Sequence, residues 1–148
     1  YRAWPAAKFA DLAEALSAKT GAEIFITSAP SERRLVEELK RLCRVRLLEI
    51  PAQETILGLC AMLLRLDFYV CNDTGPMHLA VAMGVPTLGI FNPESFPAYG
   101  TYPNNLPFMA VVPDTDGTYR PIPEGFRALP VEAVLEKFFE LSSSCRGC

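Results

Sequence analysis

The sequence predicts an α/β domain of the doubly wound kind, built on a parallel sheet of about five to six strands. Three observations carry this expectation. Short β-prone runs alternate with helical stretches, and the connections between them are brief. Half of the 148 residues are apolar and 21% are charged, a balance that suits strands covered by helices on both faces. The run Asn72-Asp73-Thr74-Gly75-Pro76-Met77-His78 joins an apolar strand to the start of a helix, at the sheet edge where open α/β folds bind ligands.

Pro5 to Lys19 carries Phe9, Leu12, Ala13 and Leu16 at helical spacing, and Gly21 ends that helix. Ala22 to Thr27 is a short β-prone run. Ser31 is placed to cap a second helix, Glu32 to Cys43, with Leu35, Leu39 and Leu42 facing inward. Val45 to Ile50 forms the second strand, closed by Pro51. Thr55 caps an apolar helix, Ile56 to Leu66, which its composition predicts to be covered on most sides. The third strand ends at Cys71, and the helix beyond the Asn72 run stops at Gly84. Pro86 to Phe91 is the fourth strand. Asn92 to Pro107, rich in proline, is a loop long enough to suggest function. Phe108 to Val112 is the fifth strand, Pro113 to Pro130 is turn-rich, and Pro130 to Leu141 closes as a helix with Val131, Val134, Leu135 and Phe138 inward. Residues 142–148 are expected to fray. The length fits one domain, residues 1–148.

The turn before the fourth helix has the makings of an anion site. The first N–H groups of a helix lack intrahelical acceptors, and the dipole places partial positive charge there. Thr74 is placed to cap the helix, Gly75 allows close approach to the backbone, and Pro76 fits the first turn. His78, the single histidine, falls on that turn. Asp73 and His78 read two ways: as an acid/base pair, or as a helix cap and a locally hydrogen-bonded ring.

Several classes are disfavoured. Neither G-x-G-x-x-G nor G-x-x-x-x-G-K-[ST] occurs, against a nicotinamide-cofactor domain and a P-loop ATPase, and no G-x-S-x-G marks a hydrolase. A net charge of −3 without a basic run gives no footprint for nucleic acid. No apolar stretch is long enough to span a bilayer. The start, Tyr1-Arg2-Ala3-Trp4-Pro5, lacks both Met and a signal-peptide design, as an excised piece of a longer protein would. Of the five cysteines, Cys43, Cys60 and Cys71 read as buried free thiols, and Cys145 and Cys148 as part of the tail, too few for a closed zinc site. Asp114-Thr115-Asp116-Gly117 begins like a calcium loop but lacks the distal ligands, and reads as a turn.

Asn72-Asp73-Thr74-Gly75-Pro76-Met77-His78-Leu79-Ala80 followed by Gly84-Val85-Pro86 resembles the D-[ST]-G-x-x-H-x-A and G-x-P signature of glycosyltransferase family 9, the ADP-heptose:lipopolysaccharide heptosyltransferases. Arg2-Ala3-Trp4-Pro5 is similar to the basic-x-Trp-Pro stretch that begins the family's C-terminal half. The resemblance covers Arg2 to about Phe91 well, and the remainder loosely. It implies a GT-B enzyme of two Rossmann-like domains, of which this chain is the C-terminal, nucleotide-sugar-binding one. It implies that Asp73, Thr74, Gly75 and His78 hold the donor diphosphate, that Arg2 meets a phosphate, and that Glu32 holds the ribose hydroxyls. No metal or cofactor is expected beyond the nucleotide-sugar donor, ADP-heptose. The catalytic base belongs to an N-terminal domain, so no catalytic residue is expected here. Implied partners are that domain and a lipopolysaccharide or other glycan acceptor. The implied location is cytoplasmic, with peripheral contact at the inner membrane. Phe91-Asn92-Pro93, Thr27-Ser28-Ala29-Pro30 and Glu54 depart from the family pattern. A non-catalytic nucleotide-binding or partner-interaction module, or a relative using UDP- or GDP-sugars, are the other readings. Trp4 and Pro5 are expected to line an apolar rim of the cleft.

Overall fold

The computed structural model describes residues 3–93, 95–113, 126 and 128–145. The chain divides into two compact units, one running Trp4–Glu54 and the other from Thr55 onward.

In the first unit, apolar spacing builds α1 (Ala6–Thr20), which buries Ala10, Leu12, Ala13 and Leu16. It ends at Gly21, whose φ of 71° is left-handed, with its N–H on Ser17 O at 2.9 Å. Strand β1 (Ile24–Ile26) pairs in parallel with β2 (Leu47–Glu49), Ile24 opposite Leu47. Between them lie a 3-10 turn, Pro30–Glu32, and α2 (Arg33–Leu42), which packs on α1. Ser31 does not cap this helix. Pro30, with its fixed φ, starts the turn early, and the Glu32 carboxylate reaches back instead to accept from Ala29 N–H at 2.8 Å. Val36 is the buried residue of α2, while Leu42 is exposed. Trp4 is 2% exposed and meets Phe9 edge-on at 5.0 Å, so it forms no exposed apolar rim.

In the second unit, Thr55 caps α3 (Ile56–Leu63), its Oγ1 accepting from Gly58 N–H at 3.0 Å. Strands β3 (Tyr69–Asn72), β4 (Thr87–Ile90) and β5 (Phe108–Val111) form a parallel sheet in that order, with Cys71, Gly89 and Ala110 in register. Helix α4 (Gly75–Ala82) links β3 to β4 and ends before Gly84, which has a φ of 74°. The loop after β4, read from sequence as irregular, holds a short helix, α5 (Phe96–Tyr99). The last helix, α6 (Val131–Cys145), packs on β4 and β5 and buries Val134, Phe138 and Leu141, and Phe68 meets Phe138 at 5.0 Å. It runs past Leu141, so residues 142–145 are helical rather than frayed.

Among the described residues the strands are parallel within each unit, β1-β2 in the first and β3-β4-β5 in the second. Central β4, paired with β3 and β5 and packed against α4 and α6, is buried along its whole length. The prediction for α3 fails. Met62 and Leu63 are buried, but Ile56, Leu57 and Leu64 are 69%, 82% and 54% exposed. Composition counts apolar side chains; it does not say how many sides of a helix the fold covers. Cys71 is buried, whereas Cys43 and Cys60 are half-buried.

Candidate functional site

Strand β3 delivers its end to a fixed point. Asn72 stands opposite Ile90, and the next N–H, of Asp73, still donates to Ile90 O at 3.2 Å. The chain then turns through Thr74, whose extended backbone (φ −148°, ψ 162°) lets α4 begin at Gly75. Thr74 thus stands at the cap position, as expected, but its side chain does not cap. Pro76 has no N–H to offer, and Met77 N–H donates to the Thr74 carbonyl at 3.0 Å. The hydroxyl donates backward to Asn72 O at 3.3 Å. Thr74 and Gly75 are exposed, and a Cβ built on Gly75 would meet nothing within 4 Å. The start of α4 is therefore an open backbone surface carrying the donor end of a helix dipole.

Two side chains flank it. The Asp73 side chain is 22% exposed and that of His78 43%. His78 Nε2 lies 3.9 Å from Asp73 Oδ1, within ion-pair range but past hydrogen-bond reach. The other ring nitrogen, Nδ1, is hydrogen-bonded to the Tyr102 hydroxyl. Asp73 does not cap the helix, and the His78 ring is held locally by a residue of the loop after β4. Burial, and then the charge of Asp73, push the Tyr102 phenol above its ordinary value, so it stays protonated and able to donate. Burial first, then Asp73, pushes the Cys71 thiol up as well, which leaves it inert beneath the site.

The turn rests on a packed base. Cys71, Met77 and Phe91 form a buried cluster against which Phe96, Tyr102 and Phe108 are packed. Met77, in the first turn of α4, points down into this cluster while His78, the next residue, stays at the surface.

Asp73, Thr74, Gly75 and His78 are thus brought together. Glu32 belongs to the other unit, and its carboxylate is engaged by Ala29 N–H. Arg2, Cys148 and the Asp114–Gly117 stretch lie outside the described residues. Tyr102 is the residue that sequence reasoning missed. The signal was available: it lies in the proline-rich loop after β4, which leaves the sheet beside β3 at the C-terminal ends of the strands, where open α/β sheets bind ligands.

Residues 1–111 match the family model described as glycosyltransferase family 9 (heptosyltransferase). Lipooligosaccharide heptosyltransferase 2 of Campylobacter jejuni is 30% identical over 97 residues, which is 63% of this chain and 30% of that protein. The crystal structure of a family 9 glycosyl transferase from Veillonella parvula superposes with a TM-score of 0.77 at 22% identity, covering 95% of this chain and 42% of that one. The Escherichia coli heptosyltransferase WaaC, solved with ADP-2-deoxy-2-fluoro heptose, does so with a TM-score of 0.63 at 23% identity, over 93% and 38%. The chain accordingly spans less than half the length of each of these relatives.

Proposed function

Because the chain belongs to glycosyltransferase family 9, we propose that it is the C-terminal, donor-binding part of an inverting heptosyltransferase and that Asp73 to His78 cradle the diphosphate of an ADP-heptose donor. The observation that supports this most is the exposed strand-to-helix turn: the open backbone at Thr74 and Gly75 lies one turn from a half-exposed imidazole that the fold holds in place. The E. coli relative's complex with ADP-2-deoxy-2-fluoro heptose supports an ADP-linked donor.

In this reading the acceptor oxygen attacks the anomeric carbon from the face opposite the nucleotide. The bond from that carbon to the phosphate oxygen breaks, and negative charge gathers on the departing diphosphate. The helix start contributes about 0.3–1 kcal/mol toward that charge, and a hydrogen bond from His78 to a charged oxygen about 1.5–3 kcal/mol. Both act where charge grows, which lowers the barrier rather than only tightening binding. No metal or cofactor is needed for this step. Arg2 is assigned a phosphate contact. Glu32 is assigned the ribose hydroxyls, for which its carboxylate exchanges the Ala29 N–H. The base that takes the acceptor proton, and the contacts to a lipopolysaccharide core acceptor, are assigned to the N-terminal domain of the parent protein. A cytoplasmic location with peripheral membrane contact goes with such an acceptor. Among the described residues, no helix is long and apolar enough to cross a membrane.

The test is calorimetric titration of ADP, UDP and GDP into the chain and two variants. ADP should bind best. His78→Ala should lose about 1–3 kcal/mol of binding free energy. Gly75→Asp, which puts a carboxylate into the cradle, should abolish binding. Absence of ADP binding by the unaltered chain, or equal binding by Gly75→Asp, would refute the proposal; tighter binding of UDP or GDP would move the donor to a different nucleotide.

A further inference from the structure

The His78 ring has two neighbours of different hydrogen-bonding capacity. On the Nδ1 side is a phenol hydroxyl; on the Nε2 side is a carboxylate, which when ionised can only accept. A neutral imidazole carries one proton, and the two nitrogens must divide the roles of donor and acceptor. With a carboxylate 3.9 Å from Nε2, too far to hydrogen-bond but placed to favour positive charge there, and a hydroxyl bonded to Nδ1, the arrangement that suits both ends has the proton on Nε2 and the Tyr102 O–H donating to Nδ1.

We propose that Tyr102 is a positioning residue: its hydroxyl, bonded to His78 Nδ1, selects the tautomer in which Nε2 carries the proton and is available to an anion at the start of α4. Tyr102 is suited to this because its place is set by the core rather than by the loop alone. Its ring lies 4.6 Å from that of Phe108 on β5, at 60°, and packs on the cluster of Cys71, Met77 and Phe91. The raised phenol, kept protonated, agrees with a donating hydroxyl. The loop that follows β4 thereby reaches the diphosphate turn that follows β3 through one hydrogen bond. The value of the selected tautomer for ADP rests on the diphosphate reading given above; the tautomer itself does not.

The chain has one histidine, so long-range proton–nitrogen correlation spectra of the imidazole need no assignment. At alkaline pH the unaltered chain should show a pyrrole-like Nε2 and a pyridine-like Nδ1. In Tyr102→Phe, which keeps the ring against Phe108, the two nitrogen shifts should move toward the mixed-tautomer average of a free imidazole. ADP should bind Tyr102→Phe about fivefold more weakly, the worth of one neutral hydrogen bond, and adding Tyr102→Phe to His78→Ala should cost nothing further. A protonated Nδ1 in the unaltered chain, an imidazole spectrum indifferent to Tyr102→Phe, or a full additional loss on the His78→Ala background would overturn the proposal. Should the unaltered chain fail to bind ADP, the diphosphate reading falls while the nitrogen spectra still decide the role of Tyr102.

Discussion

Gly89→Ala probes the joint between the sheet and the turn that carries the site. Gly89 is the third residue of β4, hydrogen-bonded through its strand to β3 on one side and β5 on the other. A Cβ placed there would stand 2.7 Å from Phe91 Cε2, 2.8 Å from Met77 Sδ and 3.1 Å from Phe108 Cε2. Ordinary carbon contacts lie near 3.5–4.0 Å, so the first two fall short by about 1 Å. The strand cannot withdraw without breaking register on both sides, and Phe91 and Met77 are fully buried. Overpacking of this kind costs about 1–3 kcal/mol. Removing glycine's freedom from the unfolded chain returns about 0.4–1 kcal/mol. The net expectation is a loss of about 1–2 kcal/mol, or some 2–8 °C in Tm for a chain of this size. Urea unfolding followed by circular dichroism measures it. If Asp73 to His78 cradle a diphosphate as proposed, ADP binding should weaken in parallel, because Met77 immediately precedes His78. Truncating the second clashing side chain, Met77→Ala, should partly relieve the first change, giving a coupling of about 0.5–3 kcal/mol in the double-mutant cycle. A variant as stable as the parent, or strictly additive losses, would refute the packing argument.

Other outcomes follow from single contacts. Thr55→Ala removes the cap of α3 and should cost about 0.5–2 kcal/mol, measured by the same unfolding curves, whereas Thr74→Ala, which loses no cap, should cost less than Thr55→Ala. Native Cys71 should resist iodoacetamide at about pH 8 and react only after unfolding, as peptide mass spectrometry would show; prompt native labelling would contradict its burial. The hydrogen bond from Lys40, then its charge and that of Arg33, hold the Glu49 carboxyl below its usual range. A depressed carboxylate contributes stability above its unfolded value, near 4.3, and loses it as the pH falls through the folded value. Lys40→Met should therefore lower the urea midpoint at neutral pH, and the difference should vanish at about pH 2; a difference that persists there would mean the ion pair is not its source.

The local geometry of the turn was legible in the sequence because it is built from neighbours. Asp73, Thr74, Gly75 and His78 are consecutive or one helical turn apart, and strand-end geometry brings them together whatever the rest of the chain does. Glycines at helix ends were legible for the same reason: Gly21 and Gly84 adopt the left-handed backbone that only glycine enters without strain. The errors share a different cause. Which faces of α3 lie open, and whether Trp4 is buried, depend on elements distant in sequence. The Thr74 hydroxyl turned away because the N–H that it would have accepted from is missing in Pro76 and engaged in Met77, a competition visible only once the helix start is set.

The residues alone determined the alternation of parallel strands and helices, the family, and the position of the open helix start. Each of these rests on periodicity, backbone restriction or contiguous motif, properties that need no tertiary contact to act. The folded chain decided how the single histidine is used. Tyr102 lies 24 residues beyond His78, in a loop that no periodicity places, and it reaches Nδ1 only because β4 and β5 carry Phe91 and Phe108 into the core beneath it. A hydrogen bond between groups so far apart along the chain requires the sheet to be assembled first, and that is why sequence spacing could mark the imidazole but could not orient it.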